Sequence, residues 1–283
     1  MATTYLGGTA ASETLNGGID SDIIWGQGGN DRLFGFDSND VLNSGEYVDA
    51  NSPTGFASDY LGDWLDGGNG DDQLYGGSGA DFLKGGSGTN ILNGGSGFDT
   101  AIYDGIRNDY VIATSAGNSL PAGVRANAGG LSDTLASVER LAFSDGAIAY
   151  DVGHDGNAGK MYRLYQAALD RTPDQEGLGW WINAADEGNS WLGMAKGFTS
   201  SDEWAQKYGV NTSNEKFLEN LYLNTLERTY DQEGFDFWNN ALNNGVSREQ
   251  ILLEFAESDE NYAQVIGTIE NGIHYKLFTD FAA

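Results

Sequence analysis

Seven aspartates, Asp22, Asp31, Asp40, Asp63, Asp72, Asp81 and Asp99, stand in two runs with a nine-residue spacing, and Asn90 fills the gap between Asp81 and Asp99. Each is followed two positions later by an aliphatic residue: Ile24, Leu33, Leu42, Leu65, Leu74, Leu83 and Ala101, with Leu92 after Asn90. A degenerate block, GTAASETLN, sets Glu13 and Leu15 in the same places. Two nine-residue units make a coil of 2 × 9 = 18 residues, so Asp22 and Asp40 stack along one edge, and Asp63, Asp81 and Asp99 share an edge likewise. Carboxylates stacked roughly 4 to 6 Å apart repel by about 1 kcal/mol in water and up to about 4 kcal/mol near a protein surface. A cation must neutralise them. Hard oxygen donors without imidazole or thiolate select calcium over zinc or copper, and its tolerance for six to eight ligands suits a flexible loop.

The elements that position these carboxylates follow from the same period. A six-residue glycine turn such as GGSGAD, followed by a three-residue strand, accounts for nine residues. Strand side chains alternate in direction, so the aliphatic residue faces inward and its two neighbours face solvent. The aliphatic ladder is therefore a core, and the glycines supply turn conformations that other residues resist. A low-complexity disordered tract would not keep acidic and aliphatic positions in fixed phase. The frame breaks once: from Asp40 to Asp63 is 63 − 40 = 23 positions, so SGEYVDANSPTGFA, residues 44–57, is expected to loop out as a tolerated insertion. Glycine blocks stop after Ile102, and DTLASVERLAFSDGAIAYD reads as a strand, an Asp-Gly turn and a second strand that cap the open edge.

The chain of 283 residues has 42 acidic and 14 basic side chains, a net charge of −28. That charge repels nucleic acid and anionic lipid and favours cationic partners. Cysteine is absent, which removes disulfides and thiolate chemistry. The first residues, MATTYLGGTAASETLNGG, hold no basic stretch followed by an apolar run, so neither a cleaved secretory signal nor a membrane span is expected there.

After Gly153 apolar residues fall at spacings of three and four, as in KMYRLYQAALD, which predicts helices. LYQAALDRTPDQEGLGWW from Leu164 returns as LYLNTLERTYDQEGFDFW from Leu221, a shift of 221 − 164 = 57, so the helical part is duplicated in units near 158–209 and 215–266. In RTPDQEG and RTYDQEG, Thr172 and Thr229 are expected to cap helices, with Gln175 and Gln232 completing capping boxes. Trp180, Trp181, Trp191, Trp204 and Trp238 could make a sugar platform, but at helical spacing they are expected in the core.

The glycine blocks resemble the RTX (repeats-in-toxin, hemolysin-type) nonapeptide GGxGxDxUx. The resemblance implies a parallel β-roll over residues 1–102 that binds several calcium ions, with Asp22, Asp31, Asp40, Asp63, Asp72, Asp81 and Asp99 as ligands and loop carbonyls completing each site. Glu13 and Asn90 depart from the pattern, which implies weaker or absent sites. Residues 103–152 resemble the flank that closes the roll in serralysin-like proteins. The duplicated unit resembles a helical domain of unknown function found beside RTX repeats, itself similar to the phycobilisome linker domain. The implied fold class is multidomain, β then α: a roll, a short β flank, and an all-α domain over 153–283 with a C-terminal tail. The implied setting is a bacterial protein exported through a type I secretion apparatus, extracellular or at the cell surface. In that family the export address lies at the extreme C-terminus, here YKLFTDFAA.

Only His154 and His274 are present, and HExxH and GxSxG are both missing, so zinc-protease and serine-triad chemistry are not expected. The sequence therefore points to a non-enzymatic, calcium-dependent structural or adhesive protein that meets a surface, a matrix or copies of itself. The alternative is a carbohydrate-binding or accessory module of an extracellular polysaccharide-acting system.

Overall fold

The computed structural model describes residues 3–44, 62–114 and 120–277, and the chain divides into two compact units, Met1–Tyr150 and Asp151–Ala283. The expected insertion (all but Ser44) and the terminal FTDFAA stretch lie outside the described residues.

In the first unit the repeats form β1 (Thr4–Gly7), β2 (Thr14–Gly18), β3 (Asp22–Trp25), β4 (Arg32–Asp37), β5 (Val41–Asn43), β6 (Trp64–Asn69), β7 (Gln73–Ser78), β8 (Phe82–Lys84), β9 (Gly88–Ser96) and β10 (Thr100–Ile102). The flank adds β11 (Tyr110–Thr114), β12 (Pro121–Ala126), β13 (Leu131–Ala136), β14 (Arg140–Phe143) and β15 (Gly146–Ala149). Odd strands of the repeats join one sheet, continued by β13, β12 and β11; even strands join the other, continued by β14 and β15. A chain that returns to the same sheet every second strand arrives in the same direction, so the repeat strands pair in parallel, for example Leu42 opposite Leu74 and Leu33 opposite Leu65. Hairpins reverse the direction, so β11–β12, β12–β13 and β14–β15 are antiparallel. Both sheets are therefore mixed.

Ile24, Leu33, Leu42, Leu65, Leu74, Leu83, Leu92 and Ala101 are all fully buried, one per strand. Each large member stabilises the fold by about 1.5 to 3 kcal/mol. At the flank end Tyr103, Tyr110 and Phe143 close this core as a ring cluster with centroids 5.1 to 5.6 Å apart. Several strands are longer than the expected three residues because they run on into the glycine pair: β6 reads WLDGGN. Gly68, second in its block, shows why glycine is needed there, since its φ is +94° and a Cβ would strike the Phe36 carbonyl of the neighbouring strand. Three other residues occupy glycine places at left-handed φ: Gln27 (81°), Phe36 (78°) and Ser38 (79°).

The second unit contains α1 (Asn157–Leu169), α2 (Gln175–Asp186), α3 (Trp191–Thr199), α4 (Asp202–Tyr208), α5 (Asn214–Thr225), α6 (Gln232–Asn243), α7 (Arg248–Ala256) and α8 (Asp259–Ile269). Helix starts repeat at the sequence shift, as in 214 − 157 = 57 and 259 − 202 = 57. A short strand, β16 (Ile273–Tyr275), follows, and the next residue's Lys276 N–H donates to the Gln175 carbonyl at 3.0 Å, so the unit is not purely helical.

The expected caps at Thr172 and Thr229 are corrected. Asp174 and Asp231 cap α2 and α6 by accepting from Gly177 N–H at 2.7 Å and Gly234 N–H at 2.8 Å. The helices begin two residues later than a threonine cap requires, and the carboxylate fills the N-cap place. The preceding arginines serve as clamps: Arg171 reaches Glu203 and Arg228 reaches Glu260, at 2.5 and 2.6 Å. The expectation that the five tryptophans lie in the core is corrected: Trp204 is buried and stacks on Tyr208 at 3.9 Å, whereas Trp181, which stacks on Phe198 at 4.8 Å, Trp191 and Trp238 are half-buried and Trp180 is 45% exposed.

Candidate metal centre

In D-x-L the carboxylate and the core aliphatic residue share a strand face, because side chains two apart point the same way. Asp22, Asp31, Asp40, Asp63, Asp72, Asp81, Asn90 and Asp99 are accordingly buried, none more than 4% exposed. Room comes from the first glycine of each block: a Cβ on Gly35 would overlap the Asp40 carboxylate and approach the Gly67 carbonyl to 2.6 Å.

The buried side chains form two hydrogen-bonded ladders. On one edge Glu13 N–H donates to Asp31 (2.9 Å), Asp31 N–H to Asp63 (2.5 Å), Asp63 N–H to Asp81 (2.8 Å) and Asp81 N–H to Asp99 (2.8 Å). On the other, Asp22 N–H donates to Asp40 (2.8 Å), Asp40 N–H to Asp72 (2.8 Å) and Asp72 N–H to Asn90 (2.9 Å). The steps are 18 positions, or 32 across the expected insertion, and 32 − 18 = 14 is the length of residues 44–57.

Each ladder has one more rung that the repeat pattern did not reveal. Asp99 N–H donates to Glu139 Oε2 at 3.0 Å, and Asn90 Nδ2 donates to Asp133 Oδ1 at 2.9 Å. Asp133 lies opposite Asn90 in the β13–β9 register. The signal was an acid two places before a core residue, Asp133 with Leu135 and Glu139 with Leu141, without the glycine turn.

In Asp40, Asp72 and Asp99 one carboxylate oxygen accepts a backbone N–H of the ladder, and the other is the one available to a ligand; Asp22 differs, its Oδ2 accepting from Gly18 N–H at 2.6 Å. The Oδ2 atoms of Asp40, Asp72 and Asp99 are buried with no hydrogen-bond donor. Burial raises Asp40 and Asp133 to about 6 and Asp72 and Asp99 to about 7. A buried carboxylate oxygen in this state must hold a proton or meet a cation. Glu13 differs, because its carboxylate already accepts from Thr9 N–H (2.6 Å) and Thr9 Oγ1 (2.7 Å). Asn90 presents an amide engaged at both ends. Among the described residues no three acidic or imidazole side chains converge as a metal cluster, so an ion here would take one or two carboxylates and complete its shell with backbone carbonyls. The all-oxygen donor set and the donor-less oxygens fit calcium.

A pH dependence follows. Folded-state pKa values above the ordinary 3.8 mean that the folded form holds protons the unfolded chain has lost, a stabilisation present in acid and lost as pH rises through 6 to 7. In chelator, the strand signal in circular dichroism is expected to be stronger at about pH 5 than at about pH 8, with calcium adding more stability at the higher pH. A calcium-free strand signal that strengthens with rising pH contradicts this electrostatic account.

Residues 7–42 and 63–101 match the family described as RTX calcium-binding nonapeptide repeat (4 copies), repeats typical of secreted bacterial proteins. Residues 195–265, from within α3 to α8, match a domain of unknown function (DUF4214). No curated protein matches the chain. Among the described residues no helix is long and apolar enough to cross a membrane. The chain thus carries calcium-binding RTX nonapeptide repeats in its β-rich N-terminal part and a DUF4214 domain within its C-terminal helices.

Proposed function

We propose that the chain is a secreted, non-enzymatic, calcium-dependent structural or adhesive protein of a bacterial surface or matrix, and that its repeats form a parallel β-roll. The observation that supports this reading most is the pair of buried carboxylate ladders with donor-less oxygens in Asp40, Asp72 and Asp99. Asp22, Asp31, Asp40, Asp63, Asp72, Asp81 and Asp99 would hold the ions together with loop carbonyls, and calcium would supply the positive charge that 15 acidic against 2 basic residues in 1–102 lack. Low cytosolic calcium would keep the repeats open enough to thread a type I channel, and external calcium would close them, so folding would give export its direction. The helical unit would carry the contact with a surface, a matrix or another copy.

Labelled full-length chain is to be added back to the surface of producing cells at about 10 mM calcium and in chelator, with sedimentation run alongside. Calcium-dependent retention on cells or calcium-dependent self-association is expected. A chain that stays monomeric and unbound under both conditions refutes the structural and adhesive role.

A further inference from the structure

Away from the ladders, the first unit has a groove of about 710 Å³, a size suited to a small ligand. Phe34, Asp66 and Lys84 lie side by side along its floor, opposite one another in the β4–β6–β8 register. Phe36 and Tyr110 add rings, and the Phe34 and Phe36 rings stack with centroids 6.1 Å apart. Lys84 Nζ stands 3.0 Å from Asp104 and 4.0 Å from Asp66, and Asp37 also lines the groove, so its charged part has three carboxylates and one ammonium.

Phe36 is the informative residue. It occupies the second place of its block, where Gly68, Gly77, Gly86 and Gly95 stand in later blocks, and it keeps the left-handed backbone of that place with φ 78°. A bulky side chain resists that conformation. Phe36 is 50% exposed, so it gains only about half of the burial that would offset the strain. Folding alone favours glycine here, whereas a ligand that stacks on an exposed ring accounts for phenylalanine.

We propose that this groove binds a neutral hexose oligosaccharide. The apolar face of a pyranose ring stacks on Phe34 and Phe36, and its hydroxyl groups donate to the Asp66 and Asp104 carboxylates and accept from Lys84. The excess of carboxylates over ammonium disfavours anionic glycans. The site needs the first unit folded but does not depend on a structural or adhesive role for the chain.

The test uses the full chain at about 10 mM calcium, titrated calorimetrically with neutral α-glucan, β-glucan and mannan hexasaccharides, and separately with an oligolysine peptide. Wild type is expected to bind at least one of the hexasaccharides. Phe36→Gly is expected to weaken that binding by about tenfold or more while its calcium midpoint and strand signal hold or improve, because glycine relieves the backbone. Phe36→Tyr keeps the ring and is expected to keep the binding. The proposal is overturned if none of the three hexasaccharides binds, if Phe36→Gly binds as well as wild type, or if oligolysine is the only probe that binds. Calcium-induced folding of Phe36→Gly separates loss of the groove from loss of the fold.

Discussion

In excess chelator at neutral pH, the strand signal of residues 1–150 is expected to collapse while the helical signal of residues 151–283 persists. The repeats have a narrow core, one fully buried aliphatic residue per strand from Ile24 to Ala101, and 15 acidic against 2 basic residues in 1–102. Without an ion, the carboxylates must either repel one another or take up protons, and at neutral pH proton uptake is incomplete. An extracellular-type site with a dissociation constant of about 0.1 mM gains roughly 2.7 kcal/mol at about 10 mM calcium, and several such sites exceed the whole stability of a small domain. The helical unit has an apolar core of its own, in which Met161, Leu164, Phe217, Leu218, Leu221, Ile251 and Leu252 are fully buried. Its fully buried Arg163 meets Glu257 at 2.7 Å, and the Asp151 carboxylate accepts from Ala158 N–H at 2.9 Å. Far-ultraviolet circular dichroism during chelation and calcium return measures both signals. A strand signal indifferent to chelator, or helices lost in step with strands, would be incompatible with this account.

Asp81→Ala is expected to cost about 4 to 6 kcal/mol in calcium, counting about 1 to 3 for the Asp63 N–H left without its acceptor and roughly 2.7 for a lost ion. Asp81 is fully buried and accepts that N–H at 2.8 Å, so water cannot replace it without opening the strand edge. Asn90→Asp restores the repeat pattern, and sequence alone predicts a simple gain in calcium affinity. The structure divides that effect. Asn90 Nδ2 donates to Asp133 at 2.9 Å, and a carboxylate in its place would face Asp133 across a buried contact. The variant should therefore be less stable than wild type in chelator and bind calcium more tightly once ions are present. Asn90→Asp combined with Asp133→Asn should recover most of the chelator stability. Calcium titration midpoints and thermal melts of the four proteins decide it. Coincident midpoints for wild type, Asp81→Ala and Asn90→Asp would remove the ladder from the explanation.

By itself the sequence determined what is periodic. An acid two places before an aliphatic residue puts both on one strand face, and the nine-residue repeat stacks Asp22 under Asp40 and Asp63 under Asp81; the 57-residue shift likewise located matching helices in α1 and α5. These features are local or repeat at constant intervals, so side-chain alternation and helical spacing encode them directly. Tertiary structure decided what depends on a docking event between unlike segments. Asp133 and Glu139 became rungs only because β13 and β14 pair with β9 and β10, joining residues 43 and 40 positions apart across an irregular connection. The same holds for Phe36: the letter shows a broken glycine pattern, but only the backbone at φ 78° and the groove that Lys84 and Tyr110 share with it show what the break could serve. Period fixes which face a side chain takes, whereas the neighbour across that face is set by strand pairing, which no spacing within either segment specifies.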